Sequence, residues 1–336
     1  MLAPKSALDF NFGGKSGRVA VMDKQLVDQA WRAEQNKGRA FEMTYGGALS
    51  FLRRRYSREL ASVDIAVSGI PFDSATTYRP GCRLGPRAIR AASVQLAELR
   101  AFPSGIDPFD WLSVVDYGDC FLNPHDPASI EGAMLTHART ILDSGARMLT
   151  LGGDHFISYP LLKAHAERYG PLALLQFDAH GDTWESAGPL DHGTMFRRAI
   201  QEGLIAVERS LRVGIRTQDD ADFGLLTLSS AWVHRQGIDA ALDAIRHRIG
   251  QAPCYLTFDI DALDPAFAPG TGTPVSGGLA SWQALELIRG LDALTFVGMD
   301  LVEVNPAYDS AEITAIAAAT LAHDWIALLA QQKRSA

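Results

Sequence analysis

From residue 63 onward the chain repeats one pattern, and that pattern limits the fold more than any other feature. A short run rich in Val, Ile and Leu is followed by a stretch with helical spacing. The runs are VDIAVSGI (63–70), LSVVDYG (112–118), RMLTLGG (147–153), LALLQFDAH (172–180), LRVGIR (211–216), AWVHR (231–235), CYLTFDID (254–261) and LTFVGMDLVEV (294–304). Helical patterns such as 128–145 and 282–291 separate many of them. Short apolar runs alternating with helices predict a parallel sheet covered on both faces. The expected fold is a three-layer α/β/α domain over residues 61–333 with a central, mainly parallel sheet of eight strands. Residues 1–60 lack this rhythm. They are Gly- and charge-rich with one helical pattern near 23–34, and read as an arm packing on the core or on a neighbouring subunit.

The polar residues gather where these strands end. His155 follows RMLTL; Asp178, His180 and Asp182 follow LALLQF; Asp259 and Asp261 close CYLTF; Glu303 stands in the last run. In parallel α/β sheets ligands bind beyond the carboxyl ends of the strands. Asp178, His180 and Asp182 occupy alternate positions, which a strand would turn to one face. Such buried charges are costly without compensation. The four aspartates and two histidines, with no thiolate, suit Mn, Ni, Fe or Zn, and four negative charges would balance two divalent ions. Two close cations acidify a shared water, so the expected chemistry is metal-assisted hydrolysis.

Composition removes other classes. With 31 Lys and Arg against 39 Asp and Glu, the net charge is −8, a poor basis for nucleic-acid binding. The three cysteines, Cys82, Cys120 and Cys254, form neither a disulfide framework nor a CxxC metal spacing. The N-terminus has no continuous apolar signal region, and no 18-residue apolar run stands out. A cytoplasmic enzyme without membrane attachment is expected.

Several long segments carry a family resemblance: GIPFDSATTYRPGCRLGPRAIR (69–90), GGDHFISYP (152–160), FDAHGDTW (177–184), DHGTMFRRA (191–199), YLTFDIDALDPAFAPGTGTPVSGGL (255–279) and VGMDLVEVNPAYDSAEITAIAAA (297–319). Together they resemble the ureohydrolases, the arginase and agmatinase family, and most closely its agmatinase branch. The resemblance implies an arginase-like fold, a two-metal centre expected to hold Mn²⁺ with Ni²⁺ as the alternative, and a trimer or hexamer, either of this chain alone or with a related ureohydrolase subunit. It implies that His155 and Asp182 hold one ion and His180 and Asp261 the other, with Asp178 and Asp259 bridging. It also implies that Asp182 passes a proton to the leaving amine, that His192 shuttles protons and that Glu303 grips the guanidinium. A carboxylate suits that last task, because it pairs bidentately with a planar guanidinium. Two plainer roles stay open: His192 as a cap of the helix near Met195, and Glu303 as a strand-end salt bridge.

The expected reaction is release of urea from agmatine, leaving putrescine. The loop TWESAGPLD (183–191) offers Trp184, Glu185 and Asp191 to a cationic tail and has no Lys or Arg for a carboxylate. Arg79 and Arg83 reverse that preference if they point inward. Gly181 stands between two ligands; the missing side chain suggests a widened pocket, which Trp184 could refill. Guanidinobutyrate, guanidinopropionate, guanidine itself and a substituted guanidine or biguanide such as metformin are the alternative substrates. A non-catalytic subunit of a ureohydrolase assembly and a one-zinc deacetylase are the alternative classes.

Overall fold

A computed structural model describes residues 43–185, 188–219 and 221–335. Its centre is a sheet of nine strands: β1 (Arg55–Tyr56), β2 (Ile65–Ile70), β3 (Val114–Asp119), β4 (Arg147–Gly152), β5 (Ala173–Phe177), β6 (Leu211–Val213), β7 (Leu226–Leu228), β8 (Pro253–Asp259) and β9 (Thr295–Val302). The spatial order is β1-β3-β2-β4-β9-β8-β5-β6-β7, and every strand pair is parallel.

Strands β2 and β5 and most of β4, β8 and β9 are buried along their length, and this is why they read as apolar runs without polar alternation. Period-two alternation survives beneath the uniform hydrophobicity. Leu149, Leu151, Leu175, Phe177, Leu256 and Phe258 face one core, while Met148, Leu174 and Tyr255 face the other. The first core is closed by α1 (Gly85–Ser93), α6 (Ile238–Ile249), α7 (Ser281–Arg289) and α8 (Ile313–Ser335). The second is closed by α2 (Ile130–Asp143), α3 (Ser158–Tyr169) and α4 (Met195–Gln201). The result is the three-layer α/β/α arrangement expected from the sequence.

The strand count differs from the eight expected, for two local reasons. The run AWVHR lies inside a helix, α5 (Ser230–Gln236), whose start is capped by Ser229 Oγ accepting from Trp232 N at 3.2 Å. The strand of that region is instead β7, just upstream. The ninth strand, β1, is two exposed residues long, too short for any periodicity to reveal. It pairs with β3 through main-chain geometry alone.

Of the region expected to form an arm over 1–60, residues 1–42, including the helical pattern near 23–34, lie outside the described residues. Further on, Phe51 and Leu52 are fully buried in the first core, and Phe51 N donates to Asp116 Oδ2 at 2.8 Å. The segment 310–335 is long and apolar enough to cross a membrane, contrary to the expectation from sequence. Its residues Ala315, Ala322, Trp325, Ile326 and Leu329 instead fill the first core against α1 and α7.

Strands β4, β9, β8 and β5 are adjacent in the sheet. Their carboxyl ends therefore converge. His155 is brought to Asp259 and Glu303, more than a hundred residues away in sequence.

Candidate metal centre

Asp178 begins the loop after β5. Its Oδ1 accepts from His180 N at 2.7 Å, closing a tight turn. Asp259 does the same at the end of β8, where its Oδ1 accepts from Asp261 N at 2.8 Å. The two motifs, DxH and DxD, thus share one local geometry. Because β5 stops at Phe177, Asp178, His180 and Asp182 converge through this turn and not through strand alternation. Asp182 completes the turn with a φ of 54°, in the left-handed region. Glu303, just past β9, has a φ of 63°. Non-glycine residues keep such conformations only where their surroundings over-determine them, and these cluster at functional sites.

His155 is the centre of the first group. Its Nδ1 lies 3.1 Å from Asp178 Oδ2, 3.0 Å from Asp182 Oδ2 and 3.3 Å from Asp259 Oδ2. His180 Nδ1 centres the second, 3.4 Å from Asp178 Oδ1 and 3.1 Å from Asp261 Oδ2. Asp178 therefore offers one oxygen to each group. All five residues other than His180 are essentially closed to solvent.

The orientation of His155 is set from behind. Asp300, fully buried, accepts from the hydroxyls of Thr257 (2.6 Å), Ser158 (2.8 Å) and Tyr255 (2.9 Å). With its proton given to Asp300, Thr257 accepts from His155 Nε2 at 2.8 Å. With Nε2 engaged by Thr257, Nδ1 is the ring atom aimed at the three carboxylates, where it has no hydrogen-bond partner. Ligating histidines are commonly held this way, by a hydrogen bond from the other ring nitrogen. An orphaned imidazole nitrogen among three carboxylates, with oxygen and nitrogen donors only, fits a divalent cation.

The charges of the site work against one another. Burial alone would push His155 down, but Asp178, Asp182 and Asp259 outweigh it and raise its pKa well above the imidazole range. The same contest raises His180 to about 12, with Asp261 and Asp178 prevailing over burial. Burial, then the charge of Asp178, raises Asp182 to about 7. Asp259 is raised by burial and by Asp261 and Asp178. Asp178 is pulled down despite its burial, by His155 and His180. A divalent cation entering here would displace the histidine protons.

Beside this cluster lies a cavity of about 260 Å³, lined by His180, Asp182, Trp184, Glu185, Asp191 and His192, with Thr77, Asp259 and Thr273 completing most of the wall. Burial would lower His192, but Glu303 prevails and raises it to about 9. The His192 ring links Glu303 Oε1 at 2.9 Å on Nδ1 with Thr77 Oγ1 at 2.9 Å on Nε2. It does not cap α4, whose first residue is Met195. Glu303 sits behind His192, off the cavity wall. Its Oε1 also accepts from His155 N at 2.9 Å, while its Oε2 is buried with no hydrogen-bond partner.

Neither arginine that would favour a substrate carboxylate lines the cavity. Arg79 stacks between the rings of Tyr78 (5.1 Å) and Tyr308 (4.8 Å), and Arg83 is paired with Asp73. Trp184 packs against His180, ring centres 6.1 Å apart, and against Gly193. Glu185, largely exposed, is engaged by Arg197 at 3.1 Å.

Comparison with known proteins fits this geometry. Residues 63–327 match the Arginase family. The chain belongs to the arginase family. This family member is similar to an agmatinase of Chromobacterium violaceum, 58% identical over 309 residues, covering 91% of this chain and 96% of the relative. An agmatinase of Photorhabdus laumondii is 49% identical over 290 residues, covering 85% and 94%. Among solved structures, a hypothetical agmatinase from Burkholderia thailandensis has a TM-score of 0.88 at 58% identity, covering 92% of this chain and 99% of its own. The proclavaminate amidino hydrolase from Streptomyces clavuligerus has a TM-score of 0.82 at 36% identity, covering 87% and 100%.

Sequence reasoning missed Asp300 and Thr257, the residues that orient His155. Both lie in apolar runs, where a buried hydroxyl and carboxylate look like interruptions. Asp191, expected from the sequence to offer charge from the 183–191 loop, does line the cavity.

Proposed function

We propose that this arginase-family enzyme hydrolyses agmatine to putrescine and urea, using two divalent cations. The observation that carries this reading is the charge of the cavity. Apart from the proposed cation ligands, its described wall holds the carboxylates of Glu185 and Asp191 and no Lys or Arg. Agmatine is cationic at both ends, whereas a guanidino acid would bring its carboxylate to an acidic wall. The agmatinases among the relatives support the same substrate.

His155 and Asp182 would hold one cation, His180 and Asp261 the other, and Asp178 and Asp259 would bridge them. When bound, the cations supply Lewis acidity and acidify a water. Glu303 sits behind His192, and its unpartnered Oε2 would accept an N–H of the guanidinium only where the substrate reaches past that ring. Asp182 takes a proton from the attacking water and returns it to the amine nitrogen as the C–N bond breaks. His192 exchanges protons with solvent through the cavity. Trp184 receives the cationic tail against its ring. Because Arg197 already engages Glu185, Asp191 is the stronger partner for the distal ammonium, with Glu185 contributing at the rim.

Mn²⁺ is the proposed metal and Ni²⁺ the alternative. A cytoplasmic trimer or hexamer is the proposed assembly, of this chain alone or with a related subunit. The catalytic domain is proposed over 61–333, with 1–60 as an extension.

A urea-release assay with agmatine, arginine, guanidinobutyrate, guanidinopropionate, guanidine and metformin, with each metal, tests the substrate. Agmatine is expected to have the highest kcat/KM, and Asp191→Asn to raise its KM about 3- to 30-fold with little change in kcat, the pattern of lost uniform binding. Higher kcat/KM for another guanidine would overturn the assignment.

A further inference from the structure

Gly181 separates His180 from Asp182, and the structure gives a reason for the glycine that has nothing to do with pocket width. Gly181 is not among the positive-φ glycines, so its backbone conformation is open to other residues. Space excludes a side chain. A Cβ at 181 would overlap the Asp219 carboxylate and the Arg212 guanidinium. Trp184 does not fill that volume; Asp219 does.

Asp219 and Arg212 form an ion pair with side chains only 6% and 4% exposed. Arg212, on β6, also donates from Nε and Nη2 to Thr227 Oγ1 on β7, at 3.2 and 3.0 Å. Asp219 Oδ2 accepts from Thr183 Oγ1 at 3.0 Å. A continuous chain of polar contacts thus runs from the outer strands of the sheet to Thr183, the residue after the left-handed Asp182. Buried ion pairs contribute little net stability compared with packed apolar residues, so this one is better explained by what it holds in place. Asp219 cannot swing aside for a Cβ without breaking its contacts to Arg212 and Thr183.

We propose that Asp219 and Arg212 are positioning residues for the turn carrying His180 and Asp182, and that residue 181 is glycine to admit them. This rests on the reading of His180 and Asp182 as cation ligands. The pair fixes the turn on one side while β5 fixes it on the other.

The test measures the Mn²⁺ dissociation constant by chelator competition, with the melting temperature of the metal-free protein as control. Gly181→Ala is expected to weaken Mn²⁺ binding about 10- to 100-fold, the range for outer groups that orient ligands. Asp219→Ala combined with Arg212→Met, which leaves no unpaired buried charge, is expected to weaken it similarly. All three changes together should cost no more than the pair, because they disable one device. Asp219→Asn with Arg212→Gln keeps an acceptor for Thr183 and is expected to bind within about threefold of wild type. The proposal is overturned if the Ala/Met pair binds within twofold of wild type, if the losses multiply, or if the Asn/Gln pair binds no better than the Ala/Met pair. A purely structural role would lower the melting temperature and leave the dissociation constant of the folded protein unchanged. Should Gly181→Ala fail to fold, the two paired variants decide alone. Asp178→Ala is run alongside. If it also binds like wild type, the metal reading fails; if it alone loses Mn²⁺, only the positioning role fails.

Discussion

Replacing Asp178 by alanine removes both cations and reduces urea release more than about 100-fold, beyond the loss typical of groups that merely orient ligands. The size of the effect follows from the position of this one side chain. Asp178 is fully buried, with Oδ2 3.1 Å from His155 Nδ1 and Oδ1 3.4 Å from His180 Nδ1. Among the described residues no other carboxylate lies within 4 Å of both imidazoles. Its loss would take an oxygen from each group of candidate ligands and leaves Gln176 Nε2 without the acceptor it reaches at 2.9 Å. Metal analysis of the purified variant beside a urea assay checks this. Full metal content with wild-type turnover would contradict it.

Glu303→Gln is the second large effect. Glu303 is 1% exposed, holds His192 through Oε1 and keeps Oε2 unpartnered. Removing one charge of a buried hydrogen-bonded pair costs about 2–5 kcal/mol. At about 1.4 kcal/mol per decade, that is roughly 30- to several-thousand-fold in kcat/KM. The pH profile should move as well. The Glu303 charge overcomes burial and raises His192 to about 9. Without that charge the histidine loses its proton at lower pH. If protonated His192 delivers protons, the alkaline limb of the kcat/KM profile, which reports the free enzyme, shifts from near 9 toward the ordinary imidazole range. An unmoved limb would remove His192 from proton transfer.

The layered architecture was legible because central strands buried on both faces cannot hide their composition. Seven of the eight apolar runs contain strands; AWVHR is helical because the cap at Ser229 and the burial of Val233 decide its conformation, and neither shows in a five-residue run. The six candidate ligands were legible from residue type and strand-end position, and the sheet order brings them together. What the sequence hid depends on tertiary neighbours. Gly181 suggested spare room, yet Asp219 arrives from a distant loop to occupy it. Arg79 and Arg83 were ambiguous until Tyr78, Tyr308 and Asp73 claimed them. The left-handed backbone at Glu303 has no sequence signature, and at Asp182 only a weak one, since Asp enters that region more often than most residues yet usually does not adopt it.

The central claim is that two cations, held by His155, Asp178, His180, Asp182, Asp259 and Asp261, make this chain a hydrolase of agmatine. Titrating metal-free protein with Mn²⁺, while counting bound ions and following urea release from agmatine, tests it most directly. The account predicts that activity rises with occupancy and reaches its maximum at two ions per chain. Full activity at one ion per chain, or in the metal-free protein, would contradict it.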